Sequence, residues 1–564
     1  MTSLKKPTFS HILLSAPTED IAEVYRAQLA ILRDSVPFLR EVEVNCVSDP
    51  EGQRVGSGGG TLNGLAFIRK QYNLHTLDAC RILIIHSGGE SRRAPLYSLC
   101  GKAWTTINAT LEGGEIASPI GFLIAELSKF CVNLPVGSLV VASSDVMLDI
   151  AVDQISAVFE PNSVSLVTVP AKPTVAKNHG VIVAPKREDC PNMAVNAGLM
   201  QSAALNYLQK PSVKQMEQHS ALYTMQSFDP ESMKNDSKDE VFALVDTGVV
   251  VFTGAAFGGL VTLLESPTCA GCIAPAFLST NDASQDLPQA ALRLELYTDL
   301  LLALRYRDQE DFSLAVYYSR LGVPMPCDAS KSAYDLALAV VWETLKTTPL
   351  QMILAPSGKF EHLGTTAEVL QLLAQQSNAF AYALNTNVNT GDSEQPSPSK
   401  KPRTEDNKLQ RFAYKYGLRS SVDSNVSHPL RGVVVINSTV STQQSRPLEK
   451  VLPASLSASE ASGVLLEHSL LVDMTVLPSS AVVSHLCAPL GRDLRAQNDV
   501  MMQQIYLKQA HDSSSNAVDG VPFTLLILGI HDDTKVHFSS SASTLCGASW
   551  DKLFQVISLS ICDY

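Results

Sequence analysis

Residues 82–102 read ILIIHSGGESRRAPLYSLCGK. An apolar run, Ile82 to Ile85, stops at His86-Ser87 and delivers the chain into Gly88 and Gly89, then Arg92 and Arg93, and then Lys102. Glycines after a strand let backbone N–H groups approach a ligand with no Cβ in the way. Such N–H groups form an anion nest. The planar arginine forks suit phosphate oxygens, and the lysine adds a point charge. Taken alone, the stretch reads equally as a glycine turn flanked by solvated arginines. A second run, VGSGGGTLNGL at 55–65, sets Gly56, Gly58, Gly59 and Gly60 ahead of a helix that the spacing starts at Thr61. Glycine at this density costs chain entropy and implies a required backbone shape. No lysine follows the last glycine, so it is not a Walker loop, and its context differs from a dinucleotide fingerprint. The economical reading is two glycine loops from one sheet facing one phosphate-bearing ligand. SLVVASSDVML then ends a strand at Asp145. A carboxylate there suits a magnesium ion shared with phosphates, or equally a helix cap or a turn.

The elements that must position these residues alternate. HILLSA (11–16), EVEVNCV (41–47), RILIIHS (81–87) and GSLVVASSD (137–145) read as strands, and DIAEVYRAQLAIL (20–32) and TLNGLAFIRKQY (61–72) as helices. Strand, helix, strand, helix predicts an α/β fold with a mostly parallel sheet and ligands beyond its carboxyl ends. VFALVDTGVVVFTGAAFGGLVTLL (241–264) is long enough to span a bilayer, but it carries Asp246 and divides into strands VFALVD and GVVVF and a small-residue helix. Residues 386–407 are polar, contain Pro and Ser and lack periodicity, so they read as a disordered linker or insert, with SKKPR a solvated loop. Beyond it, Val464, Leu470, Val476 and Val482 recur at a spacing of six. That is the rung length of a parallel β-helix; an ordinary sheet with regular turns is the alternative.

At 564 residues the chain exceeds one compact core; roughly 100–200 residues per domain implies two to four units. Its net charge of −13 argues against a protein that coats nucleic acid, so the local cations point to a small anionic ligand. Of eleven cysteines, Cys269 and Cys272 form the one C-x-x-C, with no second pair at zinc spacing, so the pair reads as incidental. Free thiols suit a reducing compartment, hence the cytoplasm, and the N-terminal apolar stretch is too short for a secretory signal.

GSGGGTLNGL, IHSGGESRRAP, VVASSDVML, KNHGVIV, LVDTGVVVF, LELYTDLLLAL and SGKFEHLGTTAEVL occur in that order, and GIHDDTK (529–535) and CGASWDKL (546–553) follow. This ordered set resembles the fucose-1-phosphate guanylyltransferase (GDP-fucose pyrophosphorylase) family, which includes the pyrophosphorylase module of bifunctional fucokinase/GDP-fucose pyrophosphorylases. The resemblance runs over most of the chain apart from the linker. It implies a GT-A-like (Rossmann-type) nucleotidyltransferase domain at 8–385, the linker at 386–407, and a parallel left-handed β-helix domain at 408–564. It also implies a reaction: GTP and L-fucose 1-phosphate give GDP-L-fucose and pyrophosphate by in-line attack on the α-phosphate, with Mg²⁺.

By the same resemblance, Gly56, Ser57, Gly58, Gly59, Gly60, Thr61, Ser87, Gly88 and Gly89 would cradle the nucleotide. Arg92, Arg93 and Lys102 would be the catalytic cations on the triphosphate and the departing pyrophosphate, and Asp145 would bind magnesium. Asn178, His179 and Gly180, with Asp246, Thr247 and Gly248, would line the sugar side. Glu295 and Asp299, read as one helical turn apart, would supply a further carboxylate to sugar hydroxyls or metal; His179 and Asp299 also read as a satisfied strand-end histidine and a helix cap. The expected partners are GTP and a sugar 1-phosphate, with neither nucleic acid nor membrane.

Ala94 departs from the commoner Arg-Leu-Pro form of the phosphate loop. No Pro-x-x-x-Gly-Leu-x-Ser-Ser stretch of the sugar-kinase type is present, so a fucokinase would be a separate chain, or this chain one half of a longer one. The rival readings are a catalytically silent module associated with a fucokinase, and a pyrophosphorylase for another sugar 1-phosphate or nucleotide.

Overall fold

Strands β1 (His11–Ala16), β3 (Arg81–His86) and β4 (Ser138–Ser143) are apolar along most of their length and buried on both faces, as central parallel strands require. In the computed structural model, the described residues are 7–87, 93–97, 101–105, 118–150, 157–186, 194–196, 199–224, 241–278, 292–309, 312–326 and 331–375. Beyond these come short stretches: 421–422, 433–436, 439–441, 449–450, 464–467, 470–472, 476–477, 481–484, 500–506, 523–537, 539–546, 548–550 and 552. β2 (Glu43–Ser48) pairs in parallel with β1, β1 with β3, and β3 with β4. Helix α1 (Glu19–Ser35) opens where the sequence signals it: the Thr18 hydroxyl accepts the Ile21 N–H, and Glu19 and Asp20 face the positive helix end. Helices α2 (Gly56–Gln71) and α3 (Pro119–Phe130) complete this half.

Among the described residues this sheet has eleven strands and is mixed, not mostly parallel. After β4 come β5 (Val146–Asp149), β6 (Val164–Ala171), the single turn α4 (Pro173–Ala176), β7 (Gly180–Val183), β8 (Ala194–Asn196), β9 (Leu199–Ala203), β10 (Asn206–Gln209) and α5 (Val213–Gln218). β8 and β9 are joined by a connection too short for the crossover that parallel neighbours need, and they pair antiparallel. β11 (Ala243–Thr253) runs antiparallel to β4, β6 and β7, β10 is antiparallel to β7, and β12 (Leu350–Leu354) returns parallel to β6 and antiparallel to β9. The two strands expected within 241–252 are therefore one, broken in register between Asp246 and Val250. Helix α6 (Ala255–Glu265) follows, and among the described residues no helix is long and apolar enough to cross a membrane. Helices α7 (Leu314–Leu321) and α8 (Ala333–Leu345) complete the layer that shares a core with α2 and α6: Leu62 and Leu65, Leu260 and Leu263, Leu338 and Val341 are all buried there. Burying each such leucine is worth about 1.5–3 kcal/mol.

The chain divides into two compact units, Met1–Gly88 with Ile120–Glu361, and Gly89–Pro119 with His362–Tyr564. The sequence places a boundary near 385; the division falls at 361/362, within β13 (Lys359–His362), and the arginine-bearing segment belongs to the second unit. The 386–407 linker lies outside the described residues.

In the second unit, α9 (Thr366–Gln375) packs on short strands that stack in parallel. β14 (Ser421–Val422), β16 (Thr439–Ser441) and β19 (Leu470–Val472) form one stack; β15 (Val433–Ile436), β18 (Val464–Glu467), β21 (Ala481–Ser484) and β22 (Val500–Tyr506) a second; β17 (Glu449–Lys450) and β20 (Val476–Leu477) a third. Val464, Leu470, Val476 and Val482 each fall in a different strand. β23 (Phe523–Gly529) turns back antiparallel on β22.

Candidate active site

Strand order β2-β1-β3-β4 reverses direction between β1 and β3. In an open α/β sheet such a reversal leaves a crevice beyond the carboxyl ends. Ser15 arrives there on β1, His86 and Ser87 at the end of β3, and Asp145 just after β4.

The run Gly56–Thr61 is not a loop before a helix but the first turns of α2 itself. Gly56 holds φ at +77°, and a Cβ on it would lie 2.3 Å from the Leu294 carbonyl oxygen. Gly59 N donates to that oxygen at 2.9 Å, and Leu294 N donates to Val55 O at 2.9 Å. The glycines thus let a distant backbone segment lie flush on the helix, which the poor helix propensity of glycine conceals. Ser57 N and Oγ donate to Glu295 Oε2 at 3.2 and 3.0 Å. Glu295 therefore caps the positive end of α2 with a carboxylate. Burial pushes its pKa up, but the Ser57 N–H, Arg293 and the Ser57 hydroxyl outweigh this and hold it below the usual range.

His86 lies against the same turn. Its Nδ1 is 3.0 Å from Ser15 Oγ and its Nε2 2.9 Å from Thr61 Oγ1. Ser87 N donates to Ser15 Oγ at 3.3 Å, and Ser87 Oγ donates to Tyr25 OH at 3.4 Å. Burial pushes the imidazole down to about 4, against a weak opposing pull from Glu295. The unfolded chain, with a histidine near 6.5, then binds more protons than the folded one between those values. The stability from this site is whole above pH ~6.5 and drains away toward pH ~4, by at most about 3 kcal/mol. Unfolding free energies measured from pH 7 to 4 should show this loss in the wild type and its absence in His86→Gln; parallel curves would refute it.

A second group forms where β4 meets β11. Ser143 Oγ donates to Asp145 Oδ1 at 2.6 Å. Asp246 is buried, with Oδ1 accepting Gly248 N at 2.9 Å and Oδ2 3.3 Å from the Tyr207 hydroxyl. Burial raises Asp246 to about 7, with the Gly248 N–H and the Tyr207 hydroxyl pulling the other way. Tyr297, stacked on Tyr207 with ring centroids 6.5 Å apart, is raised well above its ordinary value by burial and then by Asp246 and Asp145 together. One ring thus feels both carboxylates. Gly180 lies against Tyr207 so closely that a Cβ would sit 2.2 Å from its hydroxyl oxygen. The Asn178–Gly180 and Asp246–Gly248 segments accordingly meet through Tyr207. Of their other members, Thr247 is buried and donates to Val167 O at 2.9 Å, Asn178 is exposed, and His179 stands edge-on to Phe360 at 5.1 Å.

Glu295 and Asp299 are not one α-helical turn apart; Glu295 precedes a single π turn, Leu296–Leu300, that contains Asp299. Asp299 Oδ2 accepts Glu295 N at 2.7 Å, and Oδ1 accepts Tyr334 OH at 3.0 Å and Thr298 Oγ1 at 3.1 Å. Its carboxylate is thus engaged in holding the turn.

Gly88, Gly89 and Arg92 lie outside the described residues. In the second unit, Arg93 is exposed and its carbonyl accepts Thr366 N at 3.1 Å, while Lys102 Nζ donates to Gly364 O at 3.2 Å. The turn Pro95–Tyr97 packs beside β22, and Ala94 is fully buried, so the departure from leucine fits a close-packed position. Cys272 is buried, packs against Gly59 and donates to Leu292 O, and Cys269 is buried and free. Among the described residues, no group of three or more His, Cys, Asp or Glu is placed to hold a metal ion.

From the sequence alone, no role falls to His86, Tyr207 or Tyr297. Tyr207 carries no signal in the ordinary strand NYLQ, whereas His86 and Tyr297 stand inside the conspicuous segments IHSGGESRRAP and LELYTDLLLAL.

A model of the fucose pyrophosphorylase domain matches residues 75–563. The chain is 26% identical over 321 residues to the bifunctional fucokinase/GDP-fucose pyrophosphorylase of Arabidopsis thaliana, covering 53% of this chain and 27% of that protein. It is 24% identical over 364 residues to the fucose-1-phosphate guanylyltransferase of Homo sapiens, covering 64% and 54%. It thus spans about a quarter of the first relative and about half of the second. The UTP-bound UGPase from Acinetobacter baumannii is 8% identical, covering 67% of this chain and 95% of that one, with a TM-score of 0.22, too low to carry an argument. Since one family model accounts for most of its length, the chain belongs to the fucose pyrophosphorylase family.

Proposed function

We propose that this chain is a sugar-1-phosphate nucleotidyltransferase that forms GDP-L-fucose and pyrophosphate from GTP and L-fucose 1-phosphate. The family match across residues 75–563 carries the reading. The sugar phosphate is already a nucleophile near neutral pH, so the protein has to align its oxygen with the α-phosphorus and neutralise charge on the departing pyrophosphate. In this reading Gly56–Thr61 and Ser87–Gly89 flank the nucleotide, and Arg92, Arg93 and Lys102 serve the triphosphate. The Asn178–Gly180 and Asp246–Gly248 segments, joined at Tyr207, face the sugar.

Mg²⁺, when bound, would screen the phosphate charge. Its donor set is hard oxygen, which Asp145 fits. Asp299, the other carboxylate considered for the metal, is engaged by Glu295 N, Thr298 and Tyr334. The parallel run β2-β1-β3-β4 supports a GT-A-like first unit, and the three parallel stacks support a β-helix in the second; its left hand follows the family resemblance. Free thiols among the described cysteines fit a cytoplasmic protein. A fucokinase, as a separate chain or as the other half of a longer one, would supply the sugar phosphate.

Pyrophosphate release from a matrix of nucleoside triphosphates and sugar 1-phosphates tests the proposal. GTP with fucose 1-phosphate and Mg²⁺ should give the highest rate; no release with any pair would leave a silent module. Arg93→Ala should lower kcat by roughly 100- to 1,000-fold with the melting temperature unchanged. Wild-type rates would remove that residue from the chemistry.

A further inference from the structure

We infer that His86, as the neutral Nε2–H tautomer, is the positioning residue that ties Ser87 N–H to the first turns of α2 and so presets both for a nucleotide. The inference rests on the proposed reading of these two segments as the nucleotide cradle.

Donor counting sets the tautomer. Thr61 Oγ1 donates its single proton to Ser57 O at 2.8 Å. Toward His86 it can only accept, so Nε2, 2.9 Å away, carries the proton. Nδ1 is then bare, and the Ser15 hydroxyl donates to it across 3.0 Å. With its proton directed there, Ser15 Oγ accepts Ser87 N–H at 3.3 Å. The bonds form one ordered run: Ser87 N–H to Ser15, Ser15 to His86, His86 to Thr61, Thr61 to Ser57. Ser57 in turn donates to Glu295 and accepts Leu296 N at 2.8 Å.

The run fastens β1, the end of β3 and α2 at the point where the sheet order reverses. The Thr61 end fixes its direction. A proton on Nδ1 would leave a bare Nε2 facing Thr61 Oγ1, whose own proton is committed to Ser57 O, so two acceptors would meet with no proton between them. Burial, which disfavours the charged ring, works in the same sense. The ring has little room to adjust, since a Cβ on Gly60 would stand 3.3 Å from His86 Cε1.

Two measurements on the full chain test this. In kinetics, His86→Phe removes both bonds and should raise KM for GTP by roughly tenfold or more, with kcat within about threefold. His86→Gln, which keeps one donor or one acceptor, should fall between. Ser15→Ala, a smaller change in case the phenylalanine variant does not fold, should raise KM by roughly threefold. In spectroscopy, ¹⁵N-histidine correlation spectra should show His86 protonated at Nε2 and bare at Nδ1 at pH 7, and still neutral at pH 5.5. An Nδ1–H form, or titration near pH 6.5, overturns the inference whatever the activity. So does an unchanged KM for GTP in active His86→Phe and Ser15→Ala. A wild type that has the stated tautomer but neither binds nor turns over GTP refutes the functional reading, and with it the role given to His86.

Discussion

Gly56→Ala should destabilise the first unit by about 2–4 kcal/mol and lower its melting temperature by several degrees. Two costs act together. The residue holds φ at +77°, where an L side chain is strained, and its new Cβ would lie 2.3 Å from a backbone oxygen, Leu294 O, rather than from a side chain able to swing away. Relief requires moving either α2 or the 292–296 segment, and either move breaks the bonds from Gly59 N to Leu294 O and from Ser57 to Glu295. Gly258→Ala is the matched control. It lies inside α6, and nothing stands within 4 Å of its Cβ position. There alanine should stabilise by about 0.5–1 kcal/mol through helix propensity. Urea unfolding of both variants checks the pair; equal effects would mean that the glycine run is tolerant and that its helical packing is not what holds the turn.

Asp145→Asn should reduce kcat by roughly 100- to 1,000-fold while the protein stays folded. The asparagine is nearly the same size, and its amide oxygen still accepts from Ser143 Oγ, so the change removes charge and little else. If Asp145 faces a divalent cation, the variant should also need a higher Mg²⁺ concentration for half-maximal rate. A wild-type rate and Mg²⁺ dependence would return Asp145 to a turn residue bonded to Ser143. A fall in melting temperature matching the fall in rate would point the same way.

Much of the first unit is written locally. HILLSA, RILIIH and SLVVAS are uninterrupted apolar runs, and strands buried on both faces read that way. Thr18, with Glu19 and Asp20, marks the start of α1 because capping and dipole effects act within a turn. The glycine run shows the limit of such reading. Propensity alone makes 56–60 a loop, yet contact with Leu294 and Glu295 makes it helix. The parallel run ends after β4, where β11, from far along the chain, enters against the direction of its neighbours. In the second unit the six-residue spacing marks separate strands, while their assortment into three stacks depends on pairings between residues far apart in the chain.

By itself the sequence determined the central strands, the flanking helices, the family and the chemical types gathered at the strand ends. Those properties follow from neighbours a few residues apart, or from motifs whose order survives as text. Only the tertiary structure decided that Glu295 caps α2, that Asp299 is engaged in its own turn, that Tyr207 joins Gly180 to Asp246, and that His86 bridges Ser15 and Thr61. Each is a hydrogen bond or a close contact between residues far apart in the chain, and such contacts depend on distance in space, which a linear spacing does not encode.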